Sequence, residues 1–315
     1  MKRQLLLPLL LVLNACAAVA FAEANVDERK AAEADGYVQI KIVRGEVDVE
    51  GWDRNEVSVE GSLDEAMEQF IFDVKGKETV IAVRLPNRLD RWCCDRETDL
   101  KIRVPKNSDV LLSLTSAEAS VRNVHGGLEI GGVSGELRIE DVSDRVRISN
   151  ISGEVTLRGA NGRVRIKTIS GDINASEIKG PGTFNSVSGS IEVSNVNDEL
   201  DLETVSGDIE VQRGEVTAVR ANTVSGDIEL DTRLQKGGMI ETDTMSGSVR
   251  LSLPGKIDAQ FDLETHSGRI RNRLSDHKPK ESKYVRDQVL RFTLGDGSSE
   301  VNASSSSGDI SIGKN

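Results

Sequence analysis

Apolar and polar positions alternate on a fixed grid through most of the chain. Ten Ser-containing segments mark it: Thr115-Ser116-Ala117, Val133-Ser134-Gly135, Ile151-Ser152-Gly153, Ile169-Ser170-Gly171, Val187-Ser188-Gly189, Val205-Ser206-Gly207, Val224-Ser225-Gly226, Met245-Ser246-Gly247, His266-Ser267-Gly268 and Ser306-Ser307-Gly308. The serines are spaced 18, 18, 18, 18, 18, 19, 21, 21 and 40 residues apart. Counting from each serine, apolar residues fall at offsets 3, 5, 8, 12, 14 and 17; the unit at Ser188 shows all six as Ile191, Val193, Val196, Leu200, Leu202 and Val205. Offsets 3 and 5, like 12 and 14, are two apart, the period of a strand with one face turned inward. Each unit therefore predicts two short strands and two corners, with Gly at the Ser-Gly corner because it tolerates positive φ.

Stacking the units aligns offset 3 as the file Leu137, Val155, Ile173, Ile191, Ile209, Ile228, Val249, Ile270 and Ile310, mostly β-branched as a pleated surface prefers. No segment after residue 100 has apolar residues at helical spacing. The fold class that follows is all-β: a β-solenoid (β-helix) of about ten turns of 18–21 residues. At ~4.8 Å per turn the rod is about 45–50 Å long. One corner stays ambiguous. Offset 16 is a polar file (Asn150, Thr168, Ser186, Thr204, Thr223, Thr244, Thr265, Ser305) beside apolar offset 17, and alternation alone does not say which of the two faces inward.

Outside the array, residues 23–36 read as a flexible leader and 37–105 as irregular turns capping the rod, since the terminal units of a stack must close its core against water. The whole solenoid domain spans 37–314, with the regular array over 106–270, a polar loop insertion over 271–288 and a final turn over 289–314. Residues 1–22 read as a secretory signal, with Lys2 and Arg3, an apolar run from Leu5 to Leu13 and Ala20-Phe21-Ala22 as the cleavage site. Leu13-Asn14-Ala15-Cys16 offers the competing reading of a lipid anchor on Cys16, as on an outer-membrane lipoprotein. Either way the expectation is export to the periplasm or cell surface without a transmembrane helix.

Cleavage after Ala22 removes two of the 40 basic residues and none of the 52 acidic ones, leaving 38 − 52 = −14. Such a balance argues against nucleic acid as a partner. Early turns carry Arg138, Arg147, Arg163, Arg165 and Lys167 outward while later ones carry Glu192, Asp201, Glu203, Glu210 and Glu229, so the rod is electrically polar along its length. Cys93 and Cys94 are adjacent, which strains a bond between them outside a turn; no histidine stands near to complete a metal set.

Candidate chemistry is thin. Glu136, Glu154, Asp172, Asp208, Asp227 and Asp309 form an acidic file just past the corner, interrupted by Ser190 and Ser248 and lacking the glycine pattern of calcium rolls. Carbohydrate chemistry needs converging acids and aromatic platforms. Nine aromatic residues remain after cleavage (ten less Phe21), most at core positions, with Trp52 and Trp92 the exceptions. No Ser/His/Asp set, phosphate loop or zinc spacing is present, and no cofactor is expected.

The repeated (Val/Ile)-Ser-Gly-(Asp/Glu/Ser)-(Ile/Val)-x-(Val/Leu), with Gly51-Trp52-Asp53-Arg54-Asn55-Glu56-Val57 and Val104-Pro105 before the array, resembles the bacterial putative-adhesin domain family of unknown function over roughly residues 37–314. The resemblance implies a β-solenoid and no catalytic residues. The functional expectation is a non-enzymatic envelope or surface scaffold, adhesin-like, binding an unidentified protein or glycan. A carbohydrate-binding or carbohydrate-active β-helix, using Trp52, Trp92 or the 271–288 loop, and a periplasmic accessory or sensor protein acting through protein partners are the alternatives.

Overall fold

In the computed structural model, which describes residues 25–86, 97–281 and 287–314, the chain is built from β-strands with no helix among the described residues. The apolar grid becomes two facing parallel sheets. On one face Leu137, Val155, Ile173, Ile191, Ile209 and Ile228 stand in register, each opposite the equivalent residue of the next turn. On the other, Leu128, Val146, Val164, Gly182, Leu200, Val219 and Ile240 do the same. These files are buried and belong to one continuous core. At Gly182, where a side chain would be expected, the Phe184 ring fills the space a Cβ would need, at 2.5 Å.

Each turn bends at two corners. One uses a file of left-handed residues at offset 7: Asn123, Asp141, Glu177, Asn195 and Arg213 have φ of 48–57°, and Gly159 has φ 72°. This kink brings offset 8 (Val142, Ala160, Ile178, Val196) back into the core. At the Ser-Gly corner the stacking itself demands glycine. A Cβ on Gly189 would lie 2.2 Å from the Gly171 carbonyl oxygen, and one on Gly207 2.2 Å from that of Gly189.

The order of turns departs from the order of sequence at the far end. Val249 pairs with Ile310 and Ile310 with Ile270; likewise Ile240 pairs with Val301 and Val301 with Phe261. The segment read as the final turn therefore divides. Gln288–Leu294 runs antiparallel to Ala259–Thr265 at the tip, while Ser299–Ser307 and Ile310–Gly313 enter between two earlier turns. The glycine file follows suit, with Gly247, Gly308 and Gly268 stacked in that order. The described part of the 271–288 insertion folds over the tip instead of leaving the stack. Phe261 stacks on Phe292 at 4.5 Å, and His277 on Phe292 at 5.2 Å. Asn272 fastens this cover by donating to Ser275 Oγ and the His277 carbonyl and accepting from the Leu274 amide.

At the opposite end the leader expected over 23–36 contains a strand, Asn25–Ala31, paired antiparallel to Glu56–Ser62 with Val26 buried. A single inward valine amid charged residues gave too weak a period to read. Glu56–Ser62 is itself antiparallel to Thr98–Pro105, and Gln69–Lys75 to Glu78–Arg84. These antiparallel strands close the cap. Beneath them Asp64, its side chain fully buried, accepts two hydrogen bonds from Arg44 and one at 2.8 Å from the Ala66 amide. Burial would push its carboxyl up, but the Arg44 guanidinium and the Ala66 amide together hold it below the usual carboxylate range.

Candidate functional site

The Ser-Gly corner resolves the ambiguity between offsets 16 and 17. The polar file turns inward: Asn150, Thr168, Ser186, Thr204, Thr223, Thr244, Thr265 and Ser305 are all buried. Except at Thr168, whose buried hydroxyl has no partner, its hydroxyls donate to glycine carbonyls of the neighbouring turn, Thr204 Oγ1 to Gly189 at 3.1 Å, Thr223 to Gly207 at 3.2 Å and Thr244 to Gly226 at 3.2 Å. Asn150 does the same through Nδ2 to Gly135. Threonine suits this place because its hydroxyl satisfies the carbonyl that the tight corner leaves over, while its methyl packs inward.

With the hydroxyls inside, the apolar file must point out. Val133, Ile151, Ile169, Val187, Val205, Val224 and Met245 are 43–63% exposed. Seven successive turns thus carry an uncovered apolar side chain in line, about 29 Å from end to end at ~4.8 Å per turn. Scattered surface apolar residues need no explanation, whereas a contiguous row is a mark of contact with something else. The row is bounded. Thr115 occupies the equivalent position at one end, and Ser306 followed by His266 at the other. Beside it runs the outward serine file, and backbone hydrogen bonds such as Ser152 N to Val133 O and Ser206 N to Val187 O, both 2.9 Å, keep the ridge continuous.

The acidic file has a structural task. Asp172 accepts the Ser190 amide at 2.8 Å, Asp208 the Asp227 amide at 2.8 Å and Asp227 the Ser248 amide at 2.7 Å. Each carboxylate caps the amide one turn further on, and Ser190 Oγ does the same for Asp208 at 3.3 Å, which is why serine can interrupt the row. The Arg269 amide, followed by the Arg271 guanidinium, holds the Asp309 carboxyl below its ordinary range against partial burial. No group of three or more His, Cys, Asp or Glu side chains is arranged to hold a metal ion among the described residues. An open groove of about 470 Å³ at the cap end of the same corner is acidic too, lined by Glu46, Glu97, Asp99 and Glu118 beside Ser116 and Ser134.

Trp52 is half-buried, with Nε1 donating to the Glu56 carbonyl at 2.8 Å and its ring flanked by the Arg54 and Arg103 guanidinium groups at 5.0 and 5.7 Å. That ring is already in use as a packing surface for two cations. Trp92, Cys93, Cys94 and Cys16 lie outside the described residues. The structure therefore gathers Asp172, Asp208 and Asp227 along one corner. The ridge that sequence reasoning did not single out was visible only as offset 17.

A family model described as Toastrack DUF4097 matches residues 53–313. Among solved structures, one of a putative cell adhesion protein from Clostridium sporogenes is 12% identical, covering 92% of this chain and 100% of that one, with a TM-score of 0.26. A putative lipid binding protein from Parabacteroides distasonis is 14% identical over 91% and 96% of the two chains with a TM-score of 0.43. A putative adhesin from Bacteroides fragilis is 11% identical over 92% and 98%, with a TM-score of 0.33. No helix among the described residues is long and apolar enough to cross a membrane.

Proposed function

The chain belongs to the Toastrack DUF4097 family, and from that starting point we propose that it is a non-enzymatic, exported binding scaffold of the bacterial envelope or surface, making contact through the ridge from Val133 to Met245. The exposed apolar row carries this reading: leaving seven large side chains in water is unfavourable unless a partner covers them. The stacked turns supply a stiff support that holds the row straight, so that little conformational freedom is lost on contact. Export is supported by Lys2, Arg3 and the apolar run from Leu5 to Leu13. Nothing along the ridge offers a nucleophile beside a base, since no histidine lies between Ser134 and Ser246.

The test compares the protein with a variant carrying Ile151→Ser, Ile169→Ser and Val187→Ser for retention on washed envelopes of the source bacterium. These side chains lie outside the core, so the variant keeps its circular dichroism and loses retention. Equal retention by the two proteins refutes the ridge as contact surface.

A further inference from the structure

We propose a second binding site, independent of the ridge, on the outer face of the sheet that carries Leu128, Val146 and Val164: a block of basic side chains that takes a linear acidic glycan. The turns beginning at Ser134 and Ser152 point Arg145, Arg147, Arg163, Arg165 and Lys167 outward there, and all five are exposed. The register sets Arg163 directly beside Arg145, and Arg165 directly beside Arg147, on adjacent strands. The guanidinium groups thus spring from two pairs of positions, about 4.8 Å apart within a pair and about 6.8 Å from one pair to the next, with Lys167 a further ~6.8 Å along.

Elsewhere in the stack, arginines lie beside an acid of an adjacent strand: Arg250 pairs with Glu229 at 2.8 Å, Arg220 with Glu241 at 3.4 Å and Arg103 with Glu50 at 3.4 Å. In the block only Arg145 has such a partner, Asp109 at 3.6 Å. Arg147, Arg163, Arg165 and Lys167 make no ion pair or side-chain hydrogen bond among the described residues, and even Glu129, in register with Arg147, does not close on it. Like charges side by side on neighbouring strands weaken a sheet. An oxyanion held between the members of each pair removes that repulsion, and a guanidinium fork binds a carboxylate or phosphate through two parallel hydrogen bonds.

The surroundings of the block select its occupant. From Arg163 to Lys167 it runs about 14 Å in the strand direction, yet it is only two strands deep. Beyond it come Thr183 and Asn185 on the neighbouring turn, then Asp201 and Glu203 on the next, while Glu129 borders it toward the cap. A bilayer or a nucleic-acid duplex is broader than this and would press its negative charge against those acids. A single nucleic-acid strand seeks aromatic side chains on which to stack its bases, and the sole aromatic residue between 137 and 206, Phe184, is buried. A chain of acidic sugars is narrow, repeats its charge along its length, and finds hydrogen-bonding partners for its hydroxyls in Ser149 and Thr183 at the margins. It lies across the rod, along the strands. With a formal net charge of −12 the protein as a whole repels polyanions, so affinity for one is the work of this block.

Calorimetric titration of the full chain with oligogalacturonate long enough to span the block, at low and at physiological salt, tests the site. Two variants accompany the wild type. One carries Arg147→Ser and Arg165→Ser; the other carries Arg138→Ser and Arg158→Ser, which remove the same charge from the opposite sheet. The wild type should bind at low salt and more weakly as salt rises. The block variant should lose affinity about tenfold or more, and the control should change by less than about twofold. The block variant should also resist urea at least as well as the wild type, because it sheds like-charge repulsion, so that lost binding is not lost folding. Absence of binding at low salt, equal loss in both variants, a block variant less stable than the wild type, or tighter binding of anionic phospholipid vesicles or single-stranded DNA than of oligogalacturonate overturns the assignment. The result is separate from envelope retention through Ile151, Ile169 and Val187, since none of the five basic residues is altered in that variant.

Discussion

Replacing Gly207 with alanine probes the stack at its tightest point. The new Cβ would sit 2.2 Å from the Gly189 carbonyl oxygen, against an ordinary contact of 3.4 Å, so the two turns must separate locally by about 1.2 Å. No contact is with a flexible side chain that could swing aside, because the next nearest atoms, the Gly189 carbonyl carbon at 2.6 Å and Ser190 N at 3.1 Å, are backbone too. Separation stretches the Gly189 N to Ser206 O bond, now 3.2 Å, and the Thr204 Oγ1 to Gly189 O bond, now 3.1 Å, past useful length. Two partly buried hydrogen bonds at about 1 kcal/mol each, with overpacking of about 1–3 kcal/mol, give a loss of roughly 3–5 kcal/mol. Because stability in a stacked array is set by neighbour contacts, the damage should be local first. Hydrogen exchange read by mass spectrometry should show faster exchange in peptides covering 186–212, and urea unfolding should shift to lower concentration. The neighbouring Ser206→Ala, outward and exposed, is the control and should change stability by less than about 0.5 kcal/mol. A Gly207→Ala protein as stable as that control would refute steric stacking as the reason for the glycine file.

Thr204→Val keeps shape but deletes the donor to Gly189, so urea unfolding should register a loss of about 1 kcal/mol, most of it restored in Thr204→Ser. Acid should loosen the cap before the array. The folded-state pKa of Asp64 is lowered from 3.8, so its contribution is present above that value and disappears as pH falls through the lower, folded-state value. Exchange near Leu63 and Arg44 should therefore accelerate below pH 4 (an order-of-magnitude bound set by the ordinary carboxylate range), and Asp64→Asn should abolish that dependence.

Stacking was legible because it repeats: each inward file is a set of like residues at one offset, so Ile173, Ile191 and Ile209 could be placed together from spacing alone. The corner was half legible. Two adjacent files, one hydroxyl and one apolar, compete for the interior, and a glycine carbonyl seeking a donor decides in favour of threonine, a preference that simple hydrophobicity reads the wrong way round. The other corner was expected from the gap between the strand pairs, but its left-handed file was not, because it is Asn, Asp, Glu and Arg more often than glycine, so no residue type announces it. The interleaved turn escaped because the 40-residue interval before Ser307 looks like an insertion followed by continuation, and pairing across it is a tertiary choice. For the candidate site, the residues were all on the grid but their direction was not.

The slot that receives Ser299–Ser307 and Ile310–Gly313 is one strand wide, and both of its walls are made earlier along the chain. Growth from one end toward the other cannot build this tip, because the wall carrying Ile270 has no backbone partner on that side until the later strand slides in. A polypeptide halted shortly after Leu294 would carry two facing raw sheet margins, the kind of surface that sticks to its own kind or draws proteases. Closure of the tip is thus conditional on the chain reaching Gly313, the last residue of the keystone strand.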